Sequence, residues 1–135
     1  MKNILIINGH PDKESFNWAL AESYRRAAKM VEAQVETINL IELEFDPILK
    51  YGYRIPYELE PDLQEAVQKI KEADHIVWFF PMWWYGLPAL LKGFIDRTFL
   101  PNITFKYQKG KLFPDKLLKG KTSRMVITSD TVSWY

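Results

Sequence analysis

Residues 4–17 read ILIINGHPDKESFN, and this segment shows how the chain begins to fold. Ile4 to Ile7 form an unbroken apolar run, which is typical of a strand buried on both faces of a parallel sheet. Asn8 and Gly9 end the run, and Ser15 is a suitable N-cap for a helix that follows it. The segment therefore predicts a buried strand, a short loop and a helix.

The first helix is predicted over the residues from Ser15 to Val31. Its apolar side chains recur at spacings of four and three residues, so they share one helical face. We expect this face to pack on the sheet through Phe16, Leu20, Tyr24, Ala27 and Val31.

The remaining apolar runs alternate with helical patterns. A strand at Val35–Leu40 alternates apolar and polar residues, as an edge strand does. Further strands are predicted at Ile76–Phe80 and Met125–Thr128, and helices begin at Pro61 and near Pro88. This order predicts one α/β domain over residues 1–135, with a doubly wound parallel sheet. If the second strand lies on one side of the first and the third strand on the other, the strand order is 2-1-3-4.

The composition excludes several classes of function. The 135 residues include 18 Lys and Arg against 17 Asp and Glu, a formal charge of +1, which gives no electrostatic reason to expect a nucleic-acid partner or an anionic membrane surface. The chain has no cysteine, so redox chemistry needs a bound cofactor, and no metal site is predicted. The amino terminus lacks a signal-peptide pattern and no apolar run is long enough to span a bilayer, so a cytoplasmic protein is expected.

Two unusual loops are predicted at the carboxyl ends of the first and third strands, where the strand order reverses and a ligand crevice opens. The first loop runs into a helix N-terminus, which favours a phosphate group. His10, Ser15 and Asn17 supply donors there. The loop is neither a Walker A motif nor a GxGxxG motif. The alternative is that Ser15 only caps the helix.

The second loop follows the third strand and contains Trp83, Trp84 and Tyr85. Large aromatic side chains are costly to leave in water, so a planar cofactor ring is expected to cover them. A dimer interface or a packed lid explains the same residues equally well. Trp78 to Phe80, in the strand before the loop, are expected in the core.

Both loops resemble those of the flavodoxin-like NAD(P)H:quinone oxidoreductases, a family that includes the modulator of drug activity B proteins and the mammalian quinone reductases. The resemblance covers the whole chain and rests on two separated motifs. They are Gly9-His10-Pro11 with Ser15-Phe16-Asn17, and Pro81-Met82-Trp83-Trp84-Tyr85-Gly86-Leu87-Pro88-Ala89 with Lys92-Gly93-Phe94-Ile95-Asp96-Arg97.

The resemblance implies a flavin cofactor, FMN or FAD, and the residues that hold it. Flavin phosphates would lie against His10, Ser15, Phe16 and Asn17, and the ring against Pro81, Met82, Trp83, Trp84 and Tyr85. The third loop, Thr128, Ser129 and Asp130, would touch the pyrimidine edge, although many relatives have Thr-Gly-Gly at that place. Tyr135 lies near a tyrosine that assists catalysis in some relatives, so it is the catalytic candidate.

The implied activity is transfer of two electrons, as hydride, from NADH or NADPH to a quinone-like acceptor by a ping-pong mechanism. The alternative is a flavin-binding ancillary subunit of a glutathione-gated potassium efflux system, as some relatives are. A small electron-carrier flavodoxin is disfavoured by the charge of +1, since such carriers are strongly acidic.

The family normally continues through a fifth strand and a last helix, whereas this sequence ends at Tyr135. The fourth strand would then be an open sheet edge. We therefore expect either a partner subunit, as in a homodimer, to cover the exposed surfaces or the chain to be a shortened family member.

Overall fold

The computed structural model describes residues 2–130, so Tyr135 lies outside the described residues. The elements alternate between strands and helices up to α3, and a single turn of 3-10 helix at Leu40–Glu42 follows β2. Their bounds are β1 Asn3–Asn8, α1 Phe16–Met30, β2 Gln34–Asn39, α2 Pro61–Glu72, β3 His75–Pro81, α3 Ala89–Thr98, β4 Phe105–Lys106, β5 Asp115–Lys116 and β6 Thr122–Thr128.

Four parallel strands form the main sheet in the order β2-β1-β3-β6. This confirms the predicted order 2-1-3-4, because β6 is the fourth long strand in the chain. Ile7 in β1 lies opposite Ile38 in β2 and Trp78 in β3, so β1 is hydrogen-bonded on both sides. The order reverses between β1 and β3, as predicted from the sequence.

Side chains on the two faces of the sheet build two apolar clusters. Leu5, Ile7 and Trp78 belong to the cluster that α2 and α3 cover, while Ile6 and Phe79 belong to the cluster beneath α1. The expectation that residues 78–80 are core is confirmed, since all three side chains are buried. The helix predicted to begin at Pro61 is confirmed as α2, and its apolar residues Leu63, Ala66, Val67 and Ile70 are buried as well.

The predicted inner face of α1 is partly wrong. Leu20 and Tyr24 pack against the core, but Phe16, Ala27 and Val31 are exposed. The buried positions of the helix are instead Asn17, Ala21 and Ala28. The physical reason is that the polar side chain of Asn17 has a hydrogen-bond partner on β6, which turns this face toward the sheet.

Among residues 2–130, β6 pairs with β3 on one side and with no strand on the other. Met125 is 65% exposed and Ile127 43% exposed, as expected for an apolar strand with one neighbour.

The sequence analysis did not predict a small antiparallel pair, β4 with β5, within the segment between α3 and β6. None of the helices in the described part of the chain is long and apolar enough to cross a bilayer.

Arg97 fastens α3 to the connector between β2 and α2. Its side chain is fully buried and donates to Glu60 Oε2 at 2.7 Å and to the backbone carbonyl of Asp46. The ring of Tyr57 lies 4.3 Å from the guanidinium carbon. One turn earlier, a Cβ on Gly93 would lie 2.4 Å from the Cβ of Pro47, so only glycine lets the connector approach α3 this closely.

Replacing Arg97 with alanine removes one partner of a buried ion pair and leaves a void. We expect the free energy of unfolding to fall by about 3–5 kcal/mol, measured by urea denaturation. The matched control is Lys92→Ala on the same helix, which breaks the solvent-exposed pair with Asp96 and should cost less than about 1 kcal/mol. Equal losses in the two variants would contradict the anchoring role of Arg97.

His75 gives the fold a pH dependence. Burial, with the nearby charges of Arg124 and Lys2, holds the pKa of His75 below its usual value of 6.5. The unfolded chain therefore takes up the proton first, and stability falls as the pH drops below 6.5 toward the lower folded pKa. In urea denaturation between about pH 7.5 and 5.5, the wild type should lose more stability than His75→Gln. Parallel pH profiles of the two proteins would refute this.

Candidate functional site

The two loops singled out in the sequence meet at the carboxyl ends of β1 and β3. Gly9 N donates to the carbonyl of Phe79 at 2.7 Å, which holds the first loop against the end of β3. A Cβ on Gly9 would lie 3.0 Å from Leu91 Cδ2 and 3.3 Å from Phe80 Cβ. Glycine at this position therefore allows the loop to pack closely against β3 and α3. The sequence analysis did not identify this role of Gly9.

Hydrogen bonds within the first loop fix its path. Asn8 Oδ1 accepts from the backbone N–H of His10 at 3.2 Å, and His10 Nδ1 accepts from the N–H of Asp12 at 3.0 Å. Asp12 Oδ1 accepts from the N–H of Glu14 at 2.9 Å. Because His10 Nδ1 accepts this hydrogen bond, the ring hydrogen is assigned to Nε2, which is then a donor.

The first turn of α1 presents unused donors. Ser15 Oγ accepts from the N–H of Trp18 at 3.3 Å, so the predicted N-cap is confirmed. The N–H groups of Phe16 and Asn17 have no acceptor among residues 2–130. Free N–H groups at the positive end of a helix bind anions, so this turn can hold a phosphate.

The second loop is a tight hairpin with strained residues at its tip. Trp83 and Gly86 exchange two backbone hydrogen bonds of 3.1 and 3.0 Å. The two residues between them, Trp84 and Tyr85, have φ values of 50° and 57°. Positive φ in such bulky residues costs about 1–3 kcal/mol each, and strain of this kind clusters at functional sites.

The hairpin also exposes groups that flat polar ligands use. Trp84 is 99% exposed and Tyr85 75% exposed, and their backbone N–H groups have no acceptor in the described part of the chain. The ring of Trp83 lies edge-on to that of His10, with 5.5 Å between centroids. The aromatic hairpin, residues 83–86, and the first loop, residues 9–15, are thus in direct contact at the place where the sequence predicts the ligand crevice.

A third loop joins them at the end of β6. Thr128 Oγ1 donates to Asn17 Oδ1 at 2.7 Å, and the carbonyl of Thr128 accepts from the N–H of Met82 at 2.8 Å. Asn17 is 2% exposed, and its Nδ2 has no partner among the described residues. Thr128 therefore connects the helix with the aromatic hairpin and orients the amide of Asn17.

The structure places the predicted site residues at three neighbouring loops. Two direct side-chain contacts join these loops, His10 with Trp83 and Thr128 with Asn17, while Ser15 caps α1 and Trp84 and Tyr85 form the exposed tip of the hairpin. Pro81 is buried at the end of β3, while Phe16, Met82, Ser129 and Asp130 are exposed at the rim. A flavin-binding role for each stays a prediction, and the catalytic candidate Tyr135 is outside the described residues.

Sequence reasoning missed Asn8, which is 1% exposed and supports the loop through its side chain. A polar residue at the end of an otherwise apolar strand was the available signal.

The carboxyl of Glu42 accepts from Lys13 and Asn39, and these hydrogen bonds lower its pKa. Within residues 2–130, no group of three His, Asp or Glu side chains is arranged to hold a metal ion.

Comparisons with known proteins agree with this architecture. A relative from Cavia porcellus named NAD(P)H dehydrogenase (quinone) 1 is 30% identical over 127 residues, which cover 79% of this chain and 46% of the relative. The chain thus spans about half the length of that relative.

Two solved structures share the fold. Smu.1420 from Streptococcus mutans has a TM-score of 0.81 at 30% identity and covers 98% of this chain and 70% of its own. An FMN-dependent NADH-azoreductase from Bacillus anthracis, solved with FMN, has a TM-score of 0.74 at 24% identity and covers 98% and 71%. Residues 2–135 match the family model Flavodoxin_2, described as a flavodoxin-like fold, and the chain therefore belongs to this family.

Proposed function

We propose that this chain is a flavin-dependent NAD(P)H oxidoreductase that transfers two electrons, as hydride, to quinones or similar acceptors. One observation carries the proposal: free donors at the start of α1 and an exposed aromatic hairpin lie side by side, joined by the contact between His10 and Trp83. The name of the relative from Cavia porcellus supports NAD(P)H and a quinone, and the azoreductase from Bacillus anthracis supports a flavin.

The residues at the crevice fit a flavin in charge and shape. The N–H groups of Phe16 and Asn17 suit its phosphate, and the buried Nδ2 of Asn17 is a polar donor that needs an acceptor. The N–H groups of Trp84 and Tyr85 suit the polar edge of a heteroaromatic ring, and the exposed side chains offer apolar contact. When bound, the flavin supplies the hydride chemistry.

The protein's part is to bind, orient and exclude water. Backbone donors at α1 anchor the phosphate, and the hairpin donors stabilise negative charge at the ring edge. Thr128 holds Asn17 in place through its hydroxyl. Both substrates would use the same open side of the crevice, so they bind in turn, and parallel lines in double-reciprocal kinetics are expected. Tyr135 is proposed to assist proton transfer, and a fully active Tyr135→Phe variant would dismiss that role.

The direct test is turnover. The purified chain is loaded with FMN or FAD, and NADPH and NADH oxidation is followed by absorbance with menadione as acceptor. We expect flavin-dependent oxidation of at least one nicotinamide with a matching loss of menadione. A folded protein that binds flavin but oxidises neither nucleotide would contradict the oxidoreductase proposal, and one that binds no flavin would contradict the site as well.

The hydrogen bond from Thr128 to Asn17 supplies a second prediction. Thr128→Val removes the hydroxyl at nearly constant shape, so flavin affinity should fall about fivefold to tenfold. Thr128→Ser keeps the hydroxyl and should bind flavin within about twofold of the wild type. Fluorescence titration of FMN measures both. Equal affinities in the Val and Ser variants would show that Thr128 does not position the site.

A further inference from the structure

Positive charge is concentrated in one part of the chain, between α3 and β6. Residues 105–119, which we call the basic ribbon, hold five lysines and one acid, while the other residues carry 13 Lys and Arg against 16 Asp and Glu. The formal charge of +1 therefore averages a ribbon of +4 and a remainder of −3. A charge division of this kind turns the ribbon toward a negatively charged surface.

Most of the positive charge on the ribbon is uncompensated. Lys111 pairs with Asp115 at 2.8 Å. The other four lysines are exposed, and none of them takes part in an ion pair among residues 2–130. They are Lys106, Lys109, Lys116 and Lys119.

Large apolar side chains are exposed among these lysines. Leu112 is 89% exposed and Phe113 76% exposed, and they are neighbours at the tip of the ribbon. Tyr107 is 69% exposed, and its ring packs edge-on against Phe105 with 5.4 Å between centroids. Exposed apolar side chains surrounded by charged residues mark an interaction surface.

The tip of the ribbon is a folded turn. Asp115 accepts from Gln108 Nε2 and from Lys111 Nζ, and the backbone N–H of Lys111 donates to the carbonyl of Gln108 at 3.2 Å. The antiparallel pair of β4 with β5 closes the base. Leu112 and Phe113 are therefore held outward by the structure around them.

Lysine charges together with exposed Leu and Phe side chains fit the surface of an anionic bilayer. Ammonium groups are attracted to anionic head groups, and apolar side chains enter the boundary between head groups and acyl chains. Tyrosine is enriched at the same depth. A nucleic acid fits less well, because arginine is the preferred partner of its phosphates and the ribbon has no arginine.

We propose that the basic ribbon docks the chain on an anionic phospholipid surface, with Leu112 and Phe113 inserted at the level of the head groups. Docking of this kind needs no membrane-spanning helix. The inference uses neither the first loop nor the aromatic hairpin, so it stands or falls independently of the proposed function.

Co-sedimentation of the purified chain with vesicles measures the docking. We compare vesicles of phosphatidylcholine alone with vesicles in which phosphatidylglycerol replaces about a third of the lipid. The chain should bind the anionic vesicles and not the neutral ones. Raising NaCl from about 0.1 M to about 0.5 M should weaken this binding about tenfold, because salt screens the charges of the exposed lysines.

Two double variants separate the charges from the apolar tip. Lys109→Gln with Lys116→Gln should weaken binding to anionic vesicles about twentyfold. Leu112→Ser with Phe113→Ser should weaken it about tenfold, because the tip then gains nothing by leaving water.

Matched controls make the same changes outside the ribbon. Lys29→Gln with Lys71→Gln removes two exposed lysines and gives the same net charge. Met30→Ser with Val31→Ser replaces two neighbouring side chains that are 85% and 77% exposed. Both controls should bind anionic vesicles within about twofold of the wild type.

A fluorescent label tests insertion without changing the charges of the ribbon. The chain has no cysteine, so Leu112→Cys supplies a single attachment point for the environment-sensitive dye NBD. Anionic vesicles should raise the NBD emission at residue 112 and shift it to the blue, whereas NBD attached through Met30→Cys should keep the emission it has in water.

Several results would overturn the docking proposal. They are no binding to anionic vesicles, equal binding to neutral vesicles, ribbon variants that bind as well as their matched controls, and unchanged NBD emission at residue 112. Tight binding of a DNA duplex or self-association of the chain, lost in the ribbon variants while anionic vesicles stay unbound, would instead assign the ribbon to a nucleic acid or to a second copy.

Discussion

The parallel pairing of β1 with β3 is the constraint on which the site depends. The pairing continues one residue past β1, where Gly9 donates to Phe79. At this junction α1 covers one face of the sheet and α3 the other, and the loops after the two strands lie beside each other at the strand-order reversal, where sheets of this kind bind ligands. The first loop and the aromatic hairpin are the two segments that the pairing of β1 with β3 brings together.

Hydrogen bonds support the first loop, the aromatic hairpin and the end of β6. Hydrogen bonds within the first loop fix its path, and two bonds between Trp83 and Gly86 close the hairpin. Thr128, at the end of β6, bonds to Asn17 of α1 and to Met82 at the start of the hairpin. The strain at Trp84 and Tyr85 is tolerated because the flanking bonds determine their conformation. Under the proposed function, these hydrogen bonds would preorganise the site, because the free N–H groups of α1 and of the hairpin are held in place before a flavin binds.

The helix starts and the N-cap could be predicted from the sequence because short-range patterns determine them, and the strand order followed from the rules for connecting parallel strands once the second and third strands were placed on opposite sides of the first. The inner face of α1 could not, since Asn17 is buried through a partner 111 residues away in sequence. The burial of Arg97 could not be predicted either. A guanidinium on an amphipathic helix is expected on the exposed face, and its partners Glu60 and Asp46 reach it only in the folded chain. The pair β4 with β5 is too short for a periodic signal.

A crystal structure of the purified chain grown with saturating FMN tests the central claim most directly. The account predicts that the FMN phosphate accepts from the N–H groups of Phe16 and Asn17, and that its ring lies against Trp83, Trp84 and Tyr85. FMN bound at another surface, or a crevice that stays free of FMN under saturating conditions, would contradict it.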